Sequence, residues 1–231
     1  MKRFYKTASA QPVEGGWAVH LDGRAVKTVG GRAQAVPTQG LAQALAAEWD
    51  AQVDKIDTTL FLYRDMTDYT LDVVAGDPSG TAASILPYAQ TDTLCYRADP
   101  DEAFWAHQCA VWEPVLTGAE ARYGLGFERI SGIMHRPQPE ATMARAAELL
   151  AGKDAFTLAA LVNLSSLAAS LVVALLALEE DADLDALWNA ASLEETWQAD
   201  LWGRDHEAEE RREKRRAGFM AAARFAVLAR G

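Results

Sequence analysis

From Phe156 to Leu178 the chain runs for 23 residues without a charged side chain. A stretch of that length either crosses a bilayer or lies as a helix inside a protein core. The flanks decide. Lys153 and Asp154 precede it and Glu179, Glu180 and Asp181 follow. Neither end has the Lys/Arg cluster that anchors and orients a span. Polar residues also interrupt the run, and Asn163, Ser166 and Ser170 share one helical stripe. The sequence predicts one buried helix over the whole run, capped by Asp154, and no stable membrane insertion.

The remaining apolar residues point to helices as well. Among 231 residues there are 45 Ala and 25 Leu against 18 Val plus Ile. The first pair favours helix and the second favours strand, which argues against an all-β protein. Residues 1–36 are the exception. Trp17, Val19 and Leu21 alternate with Ala18 and His20. Asp22-Gly23, the dipeptide of two-residue hairpins, then returns the chain. Gly30-Gly31 makes a second turn, giving a three-strand meander, with Arg3 to Ala8 as a possible fourth strand. Helices are expected from Thr38 to about Gln52, over 63–74 and from about 79 to 87. Asp101 is expected to cap a helix that Pro114 kinks or ends. Later helices are expected over 139–152, 184–202 and 205–228. The expected fold is α+β: a small N-terminal antiparallel sheet with helices, residues 1–85, followed by an all-helical C-terminal domain, residues 86–231.

Charge and cysteine content narrow the function. The net charge of −11 makes nucleic acid an unsuitable partner. Residues 179–210 hold twelve acids and one base, and Arg211 to Arg216 return a net +4. Two cysteines, Cys95 and Cys109, are too few for a disulfide framework. Met1-Lys2-Arg3 leads straight into strand-like sequence without an apolar leader region, so a bacterial cytoplasmic location is expected. No phosphate-binding glycine loop, nucleophile elbow or zinc spacing occurs. The one acidic constellation is Asp65, Asp68 and Asp72 on one helix face. It reads either as a hard-cation site or as a set of turn contacts.

Seven tryptophans stand out. Trp49, Trp105 and Trp112 lie on apolar stripes and read as core. Trp197 and Trp202 lie among Glu194, Glu195, Gln198, Asp200 and Arg204, which suggests either a partner-binding edge or a half-buried structural role. Glu195, Gln198 and Trp202 fall at i, i+3 and i+7, so a carboxylate, an amide and an indole share one helix face. Glu194 adjoins them, and Glu207 lies just past Gly203.

Short stretches spread in order along the chain carry a resemblance. They are Arg3-Phe4-Tyr5-Lys6, Leu21-Asp22-Gly23-Arg24 with Lys27-Thr28, Leu41-Ala42, Glu48-Trp49 with Gln52, and Asp92 with Leu94-Cys95-Tyr96-Arg97. Trp112-Glu113-Pro114 follows, then Leu193-Glu194-Glu195, Gln198, Trp202-Gly203 and Glu207. Taken together, the chain resembles the assembly chaperones of the F-type ATP synthase catalytic head that bind the alpha subunit. Val29 stands where that family commonly has Pro, and a Met-Pro-hydrophobic stretch is missing near Thr58 to Leu60. The resemblance implies a non-enzymatic protein, and the missing nucleophile, phosphate and zinc motifs leave no cofactor or metal expected. It would hold the unassembled alpha subunit and shield its subunit interface until the hexamer forms, with Glu194, Glu195, Gln198, Trp202 and Glu207 as partner-binding residues. Two other readings are a metal-assisted enzyme using the acidic helix face and a passive helical scaffold subunit. Oligomeric state is not readable from the sequence.

Overall fold

In the computed structural model, residues 1–132 and 134–231 are described. Near the N-terminus, β1 (Ala8–Val13) pairs antiparallel with β2 (Gly16–Leu21). β3 (Arg24–Ala25) and β4 (Ala35–Val36) share the other side of β2. Asp22 and Gly23 have φ of 47° and 83°, the left-handed pair a type I′ turn needs. The Asp22 carboxylate accepts from the Lys6 and Thr7 amides at 3.1 and 3.0 Å, which lowers its pKa. Residues 3–6 are therefore tied to the hairpin without being a strand of it, and the fourth strand lies over 8–13 instead of 3–8.

Helix α1 (Gln39–Asp50) starts at Thr38, whose hydroxyl accepts from the Leu41 amide at 3.1 Å. Its buried face is Leu41, Ala42, Leu45, Ala46 and Trp49, the four-residue recurrence visible in the sequence. Tyr5 donates its hydroxyl to the Trp49 carbonyl at 2.5 Å. Glu48 accepts from the Tyr63 and Arg64 amides at 2.6 and 2.9 Å, and so caps α2 (Leu62–Asp72) from outside. Burial pushes its carboxyl up to about 7.

Farther along, α3 (Pro78–Ile85) and α4 (Pro87–Gln90) precede β5 (Tyr96–Arg97). Helix α5 (Ala103–Tyr123) follows. Its N-cap position is Glu102, not Asp101, and the helix continues through Pro114 for 21 residues. Trp112 is 1% exposed and donates Nε1 to the Ala190 carbonyl at 2.8 Å. Glu113 accepts from Arg129 and Arg97 at 2.8 and 2.6 Å, contacts that hold its pKa below the usual range. Arg97 belongs to β5 and Arg129 immediately precedes β6 (Ile130–Ser131), with which β5 pairs in parallel; the turn-rich stretch 123–132, where a short strand over 127–130 is expected, thus carries its strand at 130–131, inside the otherwise helical region. Trp112→Ala should cost about 3–5 kcal/mol, because it opens a cavity and strands a buried carbonyl; urea unfolding reads it.

Helix α6 (Glu140–Ala151) is preceded by Pro139 at its N-cap. The uncharged run departs from expectation. Asp154 does cap it, accepting from the Phe156 and Thr157 amides at 2.9 and 3.0 Å. The run is nevertheless two helices, α7 (Ala155–Ala168) and α8 (Leu171–Leu176). Between them Ala169 has φ of 48°, a conformation rare for a residue with a Cβ. A remote acid stabilises this break. Asp92 accepts from the Ser170 hydroxyl at 2.9 Å and the Val172 amide at 3.0 Å, and Thr93 donates its amide and hydroxyl to the Ala169 carbonyl. Among the described residues no helix is long and apolar enough to cross a membrane.

The expected helix over 184–202 is likewise two: α9 (Leu184–Ala191) and α10 (Leu193–Trp202), separated at Ser192. Helix α11 (His206–Arg230) follows. The chain divides into two compact units. One comprises 1–78, 154–160 and 221–231; the other comprises 79–153 and 161–220. The sequence suggests a single cut at 85/86, whereas the first unit also takes two later segments.

Candidate partner-binding site

The acids at 65, 68 and 72 each have protein partners. Asp72 accepts from the Thr28 hydroxyl at 2.7 Å and the Gly30 amide at 2.8 Å. Asp68 accepts from Gln34 at 2.6 Å and the Val29 amide at 3.2 Å, while Asp65 lies 3.4 Å from Arg64. The two inner carboxylates hold the 28–31 turn. Among the described residues no cluster of three His, Cys, Asp or Glu side chains is placed to hold a metal ion.

The C-terminal residues do form a surface. Gly203, at φ 97°, ends α10, and Asp205 accepts from the Ala208 amide at 3.0 Å to start α11. Arg204 links the two helices, 3.2 Å from both Asp200 and Glu209. Farther up, Arg215 donates to both Glu195 oxygens at 2.7 and 2.5 Å. Between α10 and α11 lies a groove of about 760 Å³. Glu195, Gln198 and Trp202 line it from α10, as their helical spacing predicts. Glu194 accepts from Gln198 at 3.3 Å and, with Thr93 and Trp188, lines a neighbouring pocket of about 250 Å³. Glu207 is outside both; it lies 3.6 Å from Arg211. Four of the five expected residues thus meet at this surface, and the fifth stands one turn from the groove.

The two polar-region tryptophans separate clearly. Trp197 stacks on Phe104 and His107, with centroids 5.2 and 5.4 Å apart, and is a structural residue. Trp202 is 86% exposed. An indole left in water is a reservoir of binding energy, worth about 3 kcal/mol when a partner covers it. Residue-by-residue reading missed the opposite wall. Arg211, Arg212, Lys214 and Arg215 line the groove from α11. Their signal was the basic run that directly follows the acidic segment.

A model of the ATP12 chaperone protein family matches residues 2–120. The chain belongs to the ATP12 chaperone family. Solved structures extend the ATP12 likeness to the whole chain. Atp12 from Paracoccus denitrificans superposes with a TM-score of 0.90 at 32% identity, covering 99% of this chain and 98% of that one. A point mutant of the same Paracoccus protein gives 0.90 and 32%, covering 99% and 97%. A chaperone candidate from Agrobacterium tumefaciens gives 0.93 at 35% identity, covering 100% of this chain and 86% of that one. The α10–α11 groove lies beyond the stretch matched by the ATP12 family model and within the stretch shared with these structures.

Proposed function

We propose that this ATP12-family protein is a non-enzymatic assembly chaperone of the F-type ATP synthase catalytic head. It binds the unassembled alpha subunit and shields the surface meant for its neighbour until the hexamer closes. Glu194, Glu195, Gln198, Trp202 and Glu207 form or flank the partner-binding surface. The observation that carries this reading is Trp202, almost fully exposed at the edge of a groove, in a member of a chaperone family. An oligomer interface exposed before assembly invites aggregation, and covering it with a complementary apolar group prevents that. The bacterial cytoplasm is the proposed site of action.

Glu195→Lys tests the surface. The Glu195–Arg215 pair is about half exposed, so its loss should change stability by less than about 1 kcal/mol. A lysine there removes the two-pronged contact that positions Arg215 and pushes that guanidinium out of the groove wall. We expect an unchanged melting temperature together with loss of protection of isolated alpha subunit against aggregation. Full protection at wild-type stoichiometry would remove Glu195 from the site. Affinity capture from assembling cells separates a chaperone from a permanent subunit, since a chaperone recovers free alpha subunit and is absent from the finished enzyme.

A further inference from the structure

We infer that the α10–α11 groove takes an acidic segment of the client, one that carries carboxylates beside a bulky apolar side chain. This rests on the groove being the partner-binding site and adds the chemistry of what enters it.

The argument is one of unmatched charge. The chain as a whole is strongly acidic, yet Arg204 and four cations of α11 line this groove against three acids, Glu195, Glu209 and Asp205, the last of which caps α11. Three of the five cations are matched: Arg204 by Glu209, Arg215 by Glu195, and Arg211 by Glu207. The other two are not. Arg212 donates to the Ser192 hydroxyl at 3.2 Å, and its Nε is buried without an acceptor. Lys214 forms no ion pair among the described residues; the pairing with Glu210 that helical spacing suggests is not made.

Three kinds of occupant can be compared. A purely apolar one would bury Trp202 but would also take Arg212 and Lys214 out of water without an anion, and the lost hydration would go uncompensated. A basic one would meet repulsion in addition. An acidic one supplies the missing anions while its apolar side chain covers the indole. The negative charge elsewhere on the chain does not reverse this, because at physiological salt fields decay over about 8 Å and the groove's own side chains dominate.

The test titrates isolated alpha subunit against the full-length chain carrying Lys214→Glu, Lys214→Arg or Trp202→Ala, at low and high salt. Lys214→Glu should weaken binding about tenfold or more at low salt, with the difference shrinking as salt rises. Lys214→Arg should bind like the wild type. If Trp202→Ala weakens binding and Lys214→Glu does not, the groove is the site but its occupant is not acidic, and the inference falls. If neither substitution weakens binding, the groove reading fails and takes the inference with it.

Discussion

Expressed alone, residues 1–85 should yield an unfolded, aggregating chain. The first unit takes two segments from far along the sequence, 154–160 and 221–231, and they supply core. Leu158, Ala222, Phe225 and Ala226 are at most 1% exposed, and Phe156 packs on Phe225 with centroids 5.9 Å apart. Thr38, the cap of α1, donates its hydroxyl to the Leu228 carbonyl. Removing one buried aromatic costs about 3–5 kcal/mol. Removing all these groups together exceeds the 5–15 kcal/mol or so that a domain has in reserve. Circular dichroism and amide dispersion check this; a dispersed spectrum with a cooperative melt would show that the sheet and α1–α2 suffice.

Asp92→Ala should be the most damaging single polar substitution. Its carboxyl is fully buried and accepts from Ser170, Val172 and Leu94. Removing it leaves three donors without a partner, at about 1–3 kcal/mol each. We expect a loss of about 3 kcal/mol or more in urea unfolding; a loss below about 1 kcal/mol would show that the α7–α8 break does not depend on this acid.

The same group sets a pH dependence. Burial pushes Asp92 up to about 6, above the value near 4 expected in the unfolded chain. Between those values the folded state binds more protons, so this group's contribution to stability falls as pH rises from about 4 to about 6. Glu48, pushed up to about 7, acts in the same direction over a window reaching neutrality. Glu113 and Asp154, held low, act oppositely at the acid end. Comparing wild type with Asp92→Asn isolates the Asp92 contribution: the variant should lose the decline between about pH 4 and 6, and an unchanged slope would contradict it.

These two sites also mark where the sequence stops being readable. The Asp22-Gly23 hairpin, the Thr38 and Asp154 caps and the buried stripe of α1 are local, and all could be read from residues within a few positions of one another. The break at Ala169-Ser170 is not local. Within the uncharged run only Ser170 marks it, its hydroxyl accepting from the Val173 amide at 3.0 Å to start α8; the acid that stabilises the break lies 78 residues earlier. Pro114 shows the reverse case: it does not end α5, and the residues just before it are fixed from elsewhere in the chain, Trp112 by Ala190 and Glu113 by Arg97. At the groove, helical spacing was enough to place Glu195, Gln198 and Trp202 together. It could not reveal that Glu195 is held by Arg215, or that Arg212 and Lys214 lack carboxylate partners among the described residues, because those facts depend on how α11 lies against α10.

The contribution of α11 to the first unit bears on how the protein is made. Residues 1–78 are synthesised well over a hundred residues before residues 221–231. At about 5–20 residues per second, that delay is on the order of ten seconds. Throughout it the nascent sheet stands with part of its core missing. Its β1 edge is guarded in part by Pro12, which withholds one amide from a wrong strand partner. The part of this protein that leaves the ribosome first is therefore the last to close.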